Sequence, residues 1–373
     1  MHILYNIAGF YRPAGMERVL CDKANWLVEH GHKVTILTTE QKGRPNAFEL
    51  DPRVEMIDLA IGYEDNNGLS AINKIIHYPG KQIRHKRALK AILFQKKPDI
   101  TVSMFCNEVN LVPQIKDGSK KVLEVHFSRF KRIQYGRKGL WAAIDRIRSK
   151  QDMRLVSKYD RFVVLTNQDK ANWGNLPNIR VIYNPVRFRP EKPASLDTKT
   201  VIAVGRYTHQ KGLERLLEAW ARIPEKAGWT LRLVGDGEQR PELEKLIREL
   251  DLTGSVILGR AESDMAAVYS GASILALSSR YEGLPMALLE AQAFGVPAVA
   301  FECKCGPKDI ITPGEDGILV EEGNIPALAE GLATLMKDDE LRNRMGLNAF
   351  RNAERWRPET IMPQWIQLFS EIL

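Results

Sequence analysis

The chain has 373 residues, of which 44% are hydrophobic and 27% charged, a composition typical of a soluble globular protein with about two or three domains. This composition excludes a collagen-like, disulfide-stapled or disordered chain, and the four cysteines fit no zinc or redox spacing. The net charge of +8 divides into +15 over residues 1–190 and −7 over residues 191–373, which predicts two domains with different partners.

Short apolar runs that alternate with helical patterns predict strands along the whole chain. The predicted strands are His2–Ala8, His32–Thr38, Arg53–Asp58, Ile100–Met104, Lys121–Val125, Arg161–Thr166, Thr200–Val204, Thr230–Val234, Ser255–Leu258, Ser273–Leu277 and Ala298–Phe301. Helical patterns lie between most of them, for example over Glu17–Glu29, Gly212–Arg222 and Arg240–Leu250. This alternation indicates an α/β protein with two blocks of parallel sheet, each covered by helices on both faces.

A proline-rich segment separates the two blocks. Residues 184–194 read NPVRFRPEKPA, contain three prolines and keep no helical or strand periodicity. Two doubly wound domains that meet there would create a cleft lined by the carboxyl ends of both sheets, where open α/β sheets bind ligands.

The clearest chemical signal follows the predicted strand Ser273–Leu277. Residues 278–285 read SSRYEGLP and lead into a helix that carries Glu290, so Glu282 lies in a loop beside the free amides of a helix N-terminus. Such amides suit polar or anionic ligand groups, and a carboxylate can accept hydrogen bonds from sugar hydroxyls. The alternative is structural: Glu282 caps the helix and Glu290 is a solvated surface acid.

Three further predicted strands of the second half end in glycine-containing turns. The first loop carries Arg206 and Lys211 between Gly205 and Gly212, and two cations at a helix N-terminus suit a diphosphate. The other two turns are Gly235-Asp236-Gly237 and Gly259-Arg260. Two solvated surface cations would explain the first loop alone, but glycine turns after several strands of one sheet are better explained by one bound nucleotide.

These motifs resemble those of the family 4 glycosyltransferases, which are retaining, nucleotide-sugar-dependent enzymes with the GT-B fold. The matching segments are G-R-x4-K-G at 205–212, V-G-D-G at 234–237, E-x7-E at Glu282 and Glu290, E-A-x-A-x-G-x-P at 290–297, C-G-P at 305–307 and D-G-I-L-V at 316–320. The first half resembles the family more loosely, at Ala14-Gly15-Met16-Glu17-Arg18, Val125-His126-Phe127 and Asn184-Pro185.

The resemblance implies a GT-B architecture of two facing Rossmann-like domains with a cleft between them. Residues 1–188 would form the acceptor-side domain and residues 189–356 the nucleotide-sugar domain. Residues 357–373 would form a C-terminal helix that returns to the N-terminal domain, with a kink near Pro358.

The resemblance also implies roles for individual residues. Arg206 and Lys211 would neutralise the donor diphosphate and the charge that grows on the leaving group. Glu282 would hold sugar hydroxyls, and His126 would lie near the transferred sugar. Glu290 would accept hydrogen bonds from the ribose. The other donor-binding residues would contribute backbone contacts, and they are Gly15, Gly205, Gly235, Arg260, Gly283 and Leu284.

The resemblance argues against a covalent glutamate nucleophile, because front-face displacement is the usual proposal in this family. Retention of anomeric configuration is expected, with no nucleophile assigned. No metal or other cofactor is expected, since the donor loops lack a D-x-D motif and two cations supply the charge that magnesium would bring.

Two stretches of the first half carry its excess positive charge. Lys81–Lys90 has helical character, and Arg129–Arg154 carries seven cations between its two terminal arginines, with Phe127, Phe130, Tyr135 and Trp141 beside or between them. Basic residues among aromatics can bind anionic lipid surfaces; a solvated helix face is the alternative, and no nucleic-acid module accompanies them. Without a signal peptide or a run of roughly 18 apolar residues, the chain is expected to be cytoplasmic and peripheral on the inner face of the membrane.

The sequence thus predicts an enzyme that moves a hexose or N-acetylhexosamine from a nucleoside diphosphate, by family frequency UDP, to a glycan or lipid-diphosphate-linked acceptor. Its role would be in the biosynthesis of surface polysaccharide or glycoconjugate. The alternatives are a GT-B sugar-nucleotide epimerase or hydrolase, and a non-catalytic sugar-nucleotide-binding protein.

Overall fold

The computed structural model describes residues 1–66, 68, 71–130, 139–188 and 190–373, and it describes the backbone alone for residues 66, 71–76 and 140–144. The chain divides into two compact units. Unit 1 comprises Met1–Pro185 and Ile361–Leu373, and unit 2 comprises Val186–Thr360. Val186 is tied to unit 2 by its backbone N–H, which donates to the carbonyl of Trp356 at 2.8 Å.

Unit 1 is a parallel sheet with helices. Its strands are β1 (His2–Asn6), β2 (Lys33–Thr38), β3 (Glu55–Asp58), β4 (Ile100–Ser103), β5 (Lys120–Glu124), β6 (Arg161–Val164) and β7 (Ile179–Val181). Its helices include α1 (Gly15–Glu29), α2 (Ala71–Lys96), α3 (Leu140–Val156) and α4 (Asn167–Trp173). The strand order is β3-β2-β1-β4-β5-β6-β7, so the direction of winding reverses between β1 and β4.

Unit 2 repeats this architecture. Its strands are β8 (Thr200–Val204), β9 (Thr230–Val234), β10 (Val256–Leu258), β11 (Ile274–Leu277), β12 (Ala298–Glu302) and β13 (Gly317–Glu321). Its helices include α5 (Leu213–Ala221), α6 (Arg240–Glu249), α7 (Met265–Ser270), α8 (Met286–Ala293), α9 (Pro307–Ile310), α10 (Ile325–Lys337) and α11 (Asp339–Asn352). The order β10-β9-β8-β11-β12-β13 reverses between β8 and β11.

Both sheets are built from runs of apolar residues because helices cover them on both faces. Every residue of β4 and β11 is buried, and Leu216, Trp220 and Leu332 pack from α5 and α10 onto the sheet of unit 2. All paired strands run parallel within the described residues, so their carboxyl ends lie along one edge of each sheet. The predicted α/β class with two blocks of parallel sheet is confirmed.

The C-terminal tail does not contain the predicted kink at Pro358. A short 3-10 turn ends at Trp356, and a separate helix, α12 (Pro358–Ser370), begins at Pro358. Proline suits the first position of a helix, where its missing N–H would have no partner. Trp365 and Phe369 of α12 are buried in the core of unit 1 with Tyr5 and Ile3 of strand β1.

Candidate active site

The carboxyl edge of the unit 2 sheet brings the predicted glycine turns together. A Cβ on Gly235 would lie 1.9 Å from the carbonyl oxygen of Gly205, and one on Gly237 would lie 2.4 Å from that of Tyr207. Gly235 also has a φ of +154°, which side chains disfavour. Its N–H donates to the carbonyl of Arg260 at 3.2 Å, so the turns after β8, β9 and β10 contact one another directly.

Gly205 gives room to the side chain of Lys211. A Cβ at this position would lie 2.8 Å from Cε of Lys211, and the φ of Gly205 is +152°. The loop that follows is fastened to the turn after β11, because Ser278 Oγ donates to the carbonyl of Lys211 at 3.0 Å. Arg280 adds a second link by donating to the carbonyl of His209 at 2.6 Å. The backbone therefore holds Lys211 at a defined place on the edge.

Glu282 forms an ion pair with Lys211, at 2.8 Å between Nζ and Oε1. The same oxygen accepts a hydrogen bond from Ser279 Oγ at 2.6 Å, and the N–H of Glu282 donates to the carbonyl of Lys304 at 3.0 Å. Glu282 is buried, whereas 20% of the Lys211 side chain stays exposed. The alternative of a helix cap is wrong, because the N-terminus of α8 has no side-chain cap and Pro285 occupies the N-cap position.

Arg206 and Arg260 differ from Lys211 in being exposed. Among the described residues, neither forms a salt bridge with a carboxylate. The carboxyl edge of this sheet thus carries two exposed arginines, on the turns after β8 and β10, and the Lys211–Glu282 pair. Groups of this kind can bind an anion with two or more phosphate oxygens.

Glu290 is held by a buried tyrosine. Tyr269 donates its hydroxyl to Oε2 of Glu290 at 2.6 Å, and burial, helped by this carboxylate, raises the pKa of Tyr269 well above its ordinary value. The hydroxyl therefore remains a donor. Glu290 is half-buried rather than a freely solvated surface acid. Before it, Gly283 is partly exposed and Leu284 is buried where the loop enters α8.

In unit 1, Gly15 is the exposed first residue of α1, and nothing lies within 4 Å of where its Cβ would be. The residue before it, Ala14, has φ −120° and ψ 167°, an extended conformation open to any residue, so a second glycine is not needed there. Gly15 leaves the start of α1 exposed, and the backbone amides of a helix N-terminus can bind an anionic group.

His126 lies just beyond the end of β5, and 8% of its side chain is exposed. Its Nε2 is 3.0 Å from Oε1 of Glu124, and Oε2 of Glu124 accepts a hydrogen bond from Lys23 Nζ at 2.6 Å. Burial alone would raise the pKa of Glu124, but Lys23 and His126 outweigh it and lower that pKa to about 2. His126 thus neighbours a buried carboxylate that stays ionised.

Sequence reasoning missed the residues that hold the predicted ones in place. Ser279 stands three residues before Glu282 in the same loop, and Glu124 stands two residues before His126 on the same strand face. These spacings were readable signals. Lys23 and Tyr269 carried no local signal, because each reaches its partner across the fold.

The described residues hold no group of three or more His, Cys, Asp or Glu that could bind a metal ion. Within the same residues, every helix is too short or too polar to cross a bilayer.

Two family models match the chain and together extend from residue 13 to residue 352. "Glycosyltransferase Family 4" matches residues 13–189, and "Glycosyl transferases group 1" matches residues 187–352. The chain belongs to the family 4 glycosyltransferases. The family resemblance of the donor motifs is thereby confirmed.

Two curated relatives of the chain are named for polysaccharide biosynthesis and for transfer to a lipid-linked glycan. The amylovoran biosynthesis glycosyltransferase AmsD of Erwinia amylovora is 34% identical over 57% of the chain and 62% of its own length. A Campylobacter jejuni enzyme is 26% identical over 96% of the chain and 95% of its own length. Its name describes an α-1,4-N-acetyl-D-galactosaminyltransferase that acts on a diNAcBac-PP-undecaprenol-linked glycan. The chain spans about three fifths of the length of the curated relatives that it matches at 34–35% identity.

Solved structures confirm the GT-B fold. The chain is similar to Anabaena HepE in complex with UDP-glucose, with a TM-score of 0.74 and 19% identity over 100% of both chains. Identity at this level shows the fold alone.

Proposed function

We propose that this family 4 member transfers a hexose or N-acetylhexosamine from a UDP-sugar to a glycan or lipid-diphosphate-linked acceptor, with retention of anomeric configuration. The observation that carries the proposal is the Lys211–Glu282 pair, held at 2.8 Å on an edge made of close glycine turns. A fixed cation next to a fixed carboxylate matches a donor that carries a diphosphate next to sugar hydroxyls.

The proposed chemistry is electrostatic. Lys211 and Arg206 stabilise the diphosphate as it leaves, because preorganised cations need little reorganisation in the transition state. Glu282 accepts hydrogen bonds from hydroxyls of the sugar, and its bond from Ser279 fixes the carboxylate for this. His126 contacts the transferred sugar. No nucleophile is assigned.

The remaining proposed donor contacts are made mostly by residues in or near the turns of unit 2. Glu290, aimed by Tyr269, accepts hydrogen bonds from the ribose. The backbone of Arg260 meets the base, and Gly205, Gly235, Gly283 and Leu284 approach the phosphates or sugar through backbone groups, as does Gly15 in unit 1. The reaction is proposed to need no metal, since cationic side chains supply the positive charge.

The relatives support the donor and acceptor classes. HepE is described with UDP-glucose, and the Campylobacter enzyme is named for transfer to an undecaprenol diphosphate-linked glycan. An acceptor of that class is itself anionic, which suits a first half with a charge of +15.

The basic face of α2 is proposed to hold the enzyme on an anionic membrane surface. Ile83 and Phe94 are exposed there, at 55% and 48%, beside the exposed cations Arg87 and Lys90. Of the second basic stretch, Lys131, Arg132, Tyr135, Arg137, Lys138 and the side chain of Trp141 lie outside the described residues.

Vesicle binding tests the membrane proposal. Replacing Arg84, Lys86 and Arg87 by Ala should weaken binding to phosphatidylglycerol vesicles by about 1 kcal/mol per cation and leave nucleotide affinity unchanged. Unchanged vesicle binding would contradict this part of the proposal.

A thermal-shift screen in EDTA with UDP, GDP, ADP and their sugar conjugates tests the donor assignment. A ligand at 100 times its Kd should add about 2.7 kcal/mol of stability. Selective stabilisation by UDP and a UDP-sugar is expected, and stabilisation by none of the nucleotides would overturn the assignment. Incubation of the chosen donor without acceptor, followed by NMR, tests the alternatives, because an epimerase or hydrolase would convert it.

A further inference from the structure

The end of strand β5 in unit 1 holds a buried charge network that the family motifs do not include. Lys23 on α1 and Glu124 on β5 have 1% and 0% of their side chains exposed, and their charged atoms lie 2.6 Å apart. Glu124 and His126 are two residues apart along an extended segment, so their side chains share a face. The two carboxylate oxygens are divided between the neighbours: Oε2 faces Lys23 and Oε1 faces His126.

Lys23 is buried and does not reach the protein surface. Its Nζ lies 3.4 Å from the ring centroid of Trp365 and 5.5 Å from that of Tyr5, and only 1% of the side chain is exposed. A ligand cannot reach this ammonium group. Its charge can act only through Glu124.

A buried ion pair of this kind is an expensive way to stabilise a core, because desolvation of both charges offsets their attraction. Apolar residues of similar size would fill the same space at equal or lower free energy. The pair does, however, keep one ionised carboxylate oxygen fixed beside a histidine. That property is useful if the orientation of the histidine matters.

We propose that Glu124, held by Lys23, is a positioning residue for His126: it keeps Nε2–H directed at the carboxylate and presents Nδ1 to the sugar. The role of Nδ1 rests on the proposed function, whereas the orientation of the ring does not. Nε2 and Oε1 are buried 3.0 Å apart, and within the described residues neither atom has a hydrogen-bond partner elsewhere. A carboxylate can only accept, so the nitrogen facing it carries the proton in the neutral ring.

The tautomer of His126 tests this proposal in the protein alone, without donor or acceptor. The protein is labelled with ¹⁵N-histidine, and the ring resonances of His126 are assigned by their loss in His126→Gln. The wild type should show the Nε2–H tautomer with a bare Nδ1. In Glu124→Gln, Lys23 holds the amide oxygen, so the amide NH2 faces Nε2 and the tautomer should switch to Nδ1–H.

The matched control is Asp117→Asn. Asp117 forms a buried ion pair with Lys121 near the start of the same strand, and its side chain is 0% exposed. Loss of that pair should leave the His126 tautomer unchanged. If Glu124→Gln does not fold, the apolar double variant Lys23→Met/Glu124→Leu replaces it, and it should show a mixture of the two tautomers.

An Nδ1–H tautomer in the wild type would overturn the proposal. So would an Nε2–H tautomer that persists in every variant at Glu124. An assay of sugar transfer distinguishes failure of the positioning role from failure of the proposed function. With UDP-sugar transfer measured, Glu124→Gln should lower kcat about tenfold or more, with a nearly unchanged donor KM. Tautomer switching without any transferase activity would leave the positioning role intact and refute the proposed function.

Discussion

The two units place the same pair of residue types near the carboxyl edge of a parallel sheet, but they expose them differently. In unit 2, Lys211 and Glu282 are 2.8 Å apart and the lysine is partly exposed. In unit 1, Lys23 and Glu124 are 2.6 Å apart and both are buried. A ligand can reach the pair Lys211–Glu282, called here the open pair, and cannot reach the pair Lys23–Glu124, the closed pair. We infer that the open pair binds substrate, whereas the closed pair orients His126.

The largest expected effect is on the stability of the closed pair. Lys23→Met leaves Glu124 buried without its cation, so the free energy of unfolding should fall by about 3–5 kcal/mol. Lys211→Met should cost less, about 1–2 kcal/mol, because Glu282 keeps its bond from Ser279 and the lysine that it loses is partly exposed. Urea denaturation of both variants measures this difference, and equal losses would contradict the comparison.

The pH dependence of stability gives a second contrast. The pKa of Glu124 is lowered from 4.5 to about 2 in the folded chain, so its contribution is present above pH 4.5 and lost as the pH falls towards 2. Over this range the wild type should lose about 3 kcal/mol more than Lys23→Met/Glu124→Leu. Parallel stability curves for the two proteins would show that folding does not lower the pKa of Glu124.

The activity should depend most on the cations of unit 2, Arg206 and Lys211. Arg206→Ala and Lys211→Ala should each raise the barrier to transfer by about 2 kcal/mol or more, since each removes a cation from the leaving diphosphate. The matched control is Lys308→Ala, which removes an exposed lysine that is also 2.8 Å from a glutamate in unit 2. Near-normal kcat/KM in both site variants would refute the diphosphate assignment.

The smallest expected effect concerns Tyr269. Tyr269→Phe removes only the hydroxyl that aims Glu290, so donor affinity should fall by about 1 kcal/mol. Calorimetry with UDP measures the loss. A control with ribose-free pyrophosphate should show no change, and an unchanged affinity for UDP would remove Glu290 from the ribose site.

The fold and the donor loops could be predicted because their signals are local. Apolar runs between helical patterns identify strands, and a glycine followed by charged residues identifies a turn at a strand end. Pro358 was predicted to kink a helix and instead begins one, because a local pattern does not show where the preceding helix stops.

Supporting residues that act across the fold could not be predicted, whereas Ser279 and Glu124 lie close in sequence to the residues that they hold. Lys23 meets a residue 101 positions away, and Gln292 donates to Asp316 at 3.1 Å while it accepts from Trp356 Nε1 at 2.8 Å. Gln292 and Asp316 lie in segments that match the family motifs, yet the structure buries both in a network that joins α8 to the loop before β13. A family motif therefore does not show which of its residues bind a ligand and which ones stabilise the fold.

The most direct test of the account is calorimetric titration of the protein with UDP and with UMP in EDTA. The open pair and Arg206 should recognise the second phosphate, so the wild type should bind UDP at least about tenfold more tightly than UMP, a difference of about 1.4 kcal/mol. Arg206→Ala and Lys211→Ala should both reduce this preference, while Lys23→Met/Glu124→Leu should retain it. Equal affinities for UDP and UMP in the wild type would contradict the assignment of the unit 2 edge as a diphosphate site.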